Sequence, residues 1–170
     1  SVTYKNGDFE IKASDAMTLT ANGYNAAYDG AAHSATITST MPEGTTIAYT
    51  VGDGEWTTEA PSIQDVGSIE VAIRATNKNY TTKETSVTLA VTQKAVTVTG
   101  DDGSKVYGEA DPDEFTATVE GNLNGDAIIY TVSREAGVDV GHYAVIPTGA
   151  TSQGNYSVTY KNGDFEIKDS

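Results

Sequence analysis

Residues 1–12 read SVTYKNGDFEIK, and residues 157–168 repeat the same twelve letters. Extended to fourteen positions, the two copies differ only where Ala13 stands against Asp169. Their starts lie 156 residues apart, so the chain reads as one full repeat period plus a tail carried over from the period before. Inside each copy, Asn-Gly is flanked by alternating apolar residues, the pattern of a hairpin closed by a type I′ turn. That turn sets Lys5 opposite Asp8, Tyr4 opposite Phe9 and Val2 opposite Ile11, with Val2, Tyr4, Phe9 and Ile11 on one face. The C-terminal copy is then expected to supply the last two strands of a module, and the N-terminal copy to be a hairpin with no module of its own. An isolated hairpin is marginal in water. The N-terminal one is therefore expected to lie on the adjacent module, extend an edge strand or exchange with a neighbouring molecule.

A fainter repeat lies within the period. DVGSIEVAI at 65–73 parallels DVGHYAVIP at 139–147, and Asn79–Tyr80 recurs as Asn155–Tyr156. This alignment sets Leu89 and Val91 against Phe165 and Ile167. The expected organisation is a closing hairpin at 1–14, a first module at 15–93 and a second at 94–170. Period-two runs such as Ile47/Tyr49/Val51 and Ile69/Val71/Ile73 mark half-buried strands. Turn signals at 42–44, 52–54, 121–125 and 149–154 separate the runs. Short strands at this spacing, in a Thr-rich chain with 10 Tyr, predict an all-β protein of two tandem Ig-like β-sandwich modules. Asp139, Gly141 and Tyr143 fit the D-x-G-x-Y tyrosine corner, whereas Ile69 fills the Tyr place in the first module, which must fix its corner by packing.

Composition narrows the function. The net charge of −14 repels phosphate backbones, which argues against nucleic acid as a partner. No apolar run is long enough to insert a helix into a membrane. Without cysteine, each module must hold by packing or by another cross-link, such as an isopeptide bond from Lys94 or Lys105. The two histidines, His33 and His142, lack zinc-ligand spacing, and nothing clusters as a nucleophile with its base, so no enzyme is expected.

Two stretches are candidate sites. Residues 100–114 carry six carboxylates, of which Asp101, Asp102, Asp111 and Asp113 are the candidate ligands of a Ca²⁺ ion; solvated turns capped by Asp account for the same stretch without metal. Trp56, just after the turn at 52–54, could stack on a sugar ring at a loop tip or fold back as a plug.

The residues also carry a family resemblance. Tyr28-Asp29-Gly30 and the Asn-Tyr ending resemble the YDG-type repeat of bacterial cell-surface proteins. Tyr107-Gly108, the GNLNGD turn, Asp139-Val-Gly-x-Tyr143 and NYSVTYKNGDFEI resemble the YGX-type MBG repeat. The resemblance implies β modules strung in tandem along secreted, cell-wall-associated adhesins, with neighbouring repeats as partners and no catalysis. The expected role is that of a structural stalk. The alternative is a cell-adhesion repeat that itself binds a host glycan or matrix protein.

Overall fold

A computed structural model describes residues 1–170. All its regular structure is β, and its residues cluster into two units. The first unit comprises Ser1–Asn25, Ala32–Ile63 and Gly67–Ala90; the second comprises Ala26–Ala31, Gln64–Val66 and Val91–Ser170.

The first unit is built on β1 (Ala21–Asn22), β2 (Tyr24–Ala27), β3 (His33–Ser34), β4 (Thr36–Ile37), β5 (Thr46–Val51), β6 (Ser62–Ile63), β7 (Gly67–Asn77) and β8 (Tyr80–Thr92), the last two residues of β2 and of β8 falling in the second unit. A four-stranded sheet runs in the order β2-β8-β7-β5, with two-stranded sheets β1-β4 and β3-β6. Because strand side chains alternate, Val71, Ile73 and Leu89 point inward together and are fully buried. Leu19, Ile37, Ile47, Ile63 and Ile69 pack against them. Burial of each large aliphatic side chain contributes about 1.5–3 kcal/mol. Ile69 stands where the second module has Tyr143, and its side chain packs against this cluster.

The second unit contains β9 (Lys94–Gly100), β10 (Gly103–Val106), β11 (Ala117–Glu120), β12 (Thr131–Arg134), β13 (Gly141–Thr148), β14 (Ser152–Gln153), β15 (Tyr156–Lys161) and β16 (Gly163–Lys168). They form two four-stranded sheets, β11-β9-β15-β14 and β10-β16-β13-β12. Val96, Val98, Tyr156 and Val158 are buried from the first of these sheets, and Val145, Phe165 and Ile167 from the second. The internal repeat marks matching strand starts: DVG opens β7 and β13, and Asn-Tyr opens β8 and β15. The Asn of each pair also accepts a backbone hydrogen bond from the segment that enters its unit. The Ser14 N–H donates to Asn79 O in the first, and the Lys94 N–H to Asn155 O in the second.

The structure overturns both expected hairpins. In the C-terminal copy, β15 and β16 do not pair with each other but lie in different sheets. β15 runs parallel to β9, setting Val158 opposite Val96, while β16 runs antiparallel to β13, setting Tyr143 opposite Phe165. Neither Asn162 nor Gly163 has the positive φ that a type I′ turn needs. Gly163 is instead a point of close approach: a Cβ there would lie 2.1 Å from the carbonyl oxygen of Gly100. The chain crosses from one sheet to the other at this point, so Val158 and Tyr160 face inward from one wall and Phe165 and Ile167 from the other.

The N-terminal copy forms no hairpin and packs on nothing. Residues 1–13 carry no strand, and Val2, Tyr4, Phe9 and Ile11 are 76%, 90%, 90% and 88% exposed. The physical reason is the same in both copies. These twelve residues do not stabilise each other; in the second unit they are held by β9, β10 and β13, and residues 1–12 have no such neighbours.

Candidate functional site

The acidic stretch after β9 closes loops. Both side-chain oxygens of Asp101 accept hydroxyl hydrogen bonds at 2.6 Å, from Thr116 and Thr118, and these bonds lower its pKa. Asp102 accepts the Asp164 N–H at 2.7 Å. Asp111 lies farther along and takes three donors: Lys105 Nζ at 2.8 Å, Arg134 Nε at 2.9 Å and Arg134 Nη2 at 3.1 Å. Arg134, with Lys105, holds the Asp111 pKa down to about 2. Asp113 is exposed. The structure therefore does not bring the four Ca²⁺ candidates together, and no group of three or more His, Cys, Asp or Glu side chains is placed to share a metal ion.

Arg134 is the hub that sequence reading missed. Besides gripping Asp111 it donates to the backbone oxygens of Glu135 and Gly137, and its guanidinium stands 5.3 Å from the Tyr143 ring and 5.4 Å from the Phe165 ring. A lone Arg at the end of a short strand carries no sequence signal for this. Lys105, one isopeptide candidate, is committed to Asp111. Amide formation starts from a neutral carboxylic acid and a free amine, whereas Arg134 keeps this carboxyl ionised.

The tyrosine corner is present as read. The Tyr143 hydroxyl donates to Asp139 O at 2.8 Å, and Gly137 lies under the ring so closely that a Cβ would come within 1.9 Å of it. His33 stacks on Tyr24 at 3.7 Å between ring centroids, and exposed His142 pairs with Asp164 at 2.8 Å, which raises the imidazole pKa.

Trp56 is neither at a free loop tip nor in the core. Gly52, with φ +58°, turns the chain after β5, and Tyr49 and Thr57 exchange backbone hydrogen bonds at 2.7 and 2.9 Å. This return lays the half-buried indole over Arg74 of β7, whose Cζ is 4.0 Å from the ring centroid. One face of the ring is thus already occupied by a cation.

A second feature without a sequence signal is an open groove of about 860 Å³ in the second unit. Tyr28, Ile129, Tyr130 and Tyr156 line it together with Asp126 and Gln153. The buried Tyr156 hydroxyl donates to Asp126 and accepts the Leu123 N–H; burial, then the Asp126 bond, raises its pKa. Gln153 spends its amide on Ile129, Ala150 and Tyr160.

The chain is thus two β units, the second of which closes its loops through the side chains of Asp101, Asp111, Arg134 and Tyr143. Residues 17–95 match the MBG domain family and residues 96–166 match the MBG domain (YGX type) family, so the chain belongs to the tandem MBG repeat domains. These are non-catalytic β domains found in bacterial surface proteins. None of the curated proteins compared with the chain matches it.

Proposed function

We propose that this chain is a stalk segment of a bacterial adhesin, its modules at 15–93 and 94–170 repeating along an extracellular array. The observation that carries this reading is the way the polar side chains are used. Asp101, Asp102, Asp111, Arg134, Tyr143 and Gln153 all close contacts within their own unit, as a module selected to stay folded without disulfides would require. The acidic surface keeps neighbouring repeats soluble and apart.

The competing reading, a repeat that binds a host glycan, is favoured by the tyrosine-lined groove, since aromatic faces stack on sugar rings. A glycan array and a host-matrix binding screen separate the two. The stalk reading expects signal no greater than that of a scrambled-module control. Reproducible binding that Tyr130→Ala or Trp56→Ala abolishes would replace the stalk with the adhesive repeat.

A further inference from the structure

The twelve residues that are bare at 1–12 are the same twelve that complete the core of the second unit at 157–168. In the second place Val158, Phe165 and Ile167 are 3%, 1% and 0% exposed, while their counterparts Val2, Phe9 and Ile11 are almost fully exposed. The backbone demand is met as well. Gly163 sits against Gly100 where no side chain fits, and its counterpart Gly7 is also glycine, with nothing within 4 Å. Apart from Tyr156 opposite Lys94, every pairing that β15 makes with β9, and β16 with β10 and β13, depends on residues that the N-terminal copy repeats letter for letter.

We propose that residues 1–12 are a donor segment for a second copy of this chain. They enter the partner's second unit in place of its residues 157–168, pairing parallel to its β9 and antiparallel to its β13. The incoming strands reproduce the displaced ones residue for residue, so the exchange is decided by effective concentration. A strand attached to its own module has an advantage on the order of millimolar, and the resident copy holds its place in a dilute solution of intact chains. Once the resident copy is dislodged, the N-terminal copy of another molecule takes over. The contact is head-to-tail, so it propagates as a ring or an open chain rather than stopping at a two-fold dimer.

The test uses the full 170-residue chain. Phe165→Asp with Ile167→Asp disables the resident copy and leaves residues 1–12 intact. The expected result is a shift from mainly monomer to dimers and larger species in size-exclusion chromatography with light scattering, with hydrogen-exchange protection retained in β9 and β13. Adding Phe9→Asp and Ile11→Asp removes the donor; this chain should be monomeric and unprotected in β9 and β13. A synthetic SVTYKNGDFEIK peptide in excess should then restore protection in that chain without assembly. A monomeric double variant, assembly that survives the two added substitutions, or a peptide that restores no protection would each overturn the proposal.

Discussion

Asp111 shows how a single carboxylate can look like a ligand in the sequence and serve as a pin in the structure. It faces Lys105 and Arg134, whose side chains are only 12% and 10% exposed, so its removal leaves two nearly buried cations without a counter-charge. Because the carboxylate itself is 36% exposed, the cost falls below that of a fully buried pair. Asp111→Asn should destabilise the second unit by about 2 kcal/mol at neutral pH in urea unfolding. The pH dependence follows from the sign of the shift. The folded pKa lies below the ordinary 3.8, at about 2, so the contribution is full above 3.8 and fades as pH falls toward 2. The gap between wild type and variant should close over that window, and a gap that stays constant to pH 2 would show that the charge is not what stabilises. The sequence made the carboxylates visible but not their partners: Arg134 stands 23 positions from Asp111, and only the folded chain brings the two together.

At the scale of elements, the alternation of Val, Tyr, Phe and Ile in SVTYKNGDFEIK identified which side chains are buried, because period-two burial is local. It did not identify their partners. Asn-Gly suits a type I′ turn and equally supplies a residue without a Cβ where two backbones touch, and local sequence cannot separate these uses. The two copies allow a controlled comparison of the same substitution in the same twelve-residue context. Gly163→Ala places a methyl 2.1 Å from the Gly100 carbonyl and should destabilise by about 1–3 kcal/mol, the range for overpacked sites. Gly7→Ala meets nothing and should change stability by less than about 0.5 kcal/mol. Thermal unfolding of the two variants beside wild type is the measurement, and equal effects would contradict the sheet-crossing geometry. The tyrosine corner was legible for the opposite reason. Its hydroxyl reaches a carbonyl only four residues back, so the motif contains its own partner.

For the whole molecule the governing quantity is charge. A net −14 at pH 7 gives each copy a repulsive field, while the sequence pI near 4.2 marks where that field vanishes. Near zero net charge, proteins lose the repulsion that keeps them apart in solution. Asp111 still carries its charge at pH 4.2, since it titrates near 2, so its ion pairs with Lys105 and Arg134 persist while the net charge is neutralised. Self-association should therefore rise on approach to pH 4.2 without unfolding. In light scattering the second virial coefficient should be positive at pH 7, decrease with added salt as the screening length shrinks to about 10 Å at 0.1 M, and turn negative near pH 4.2. Circular dichroism should stay unchanged across that range. A coefficient insensitive to both pH and salt would mean that charge does not hold copies apart, and an array of such modules would then need another way to avoid collapsing on itself.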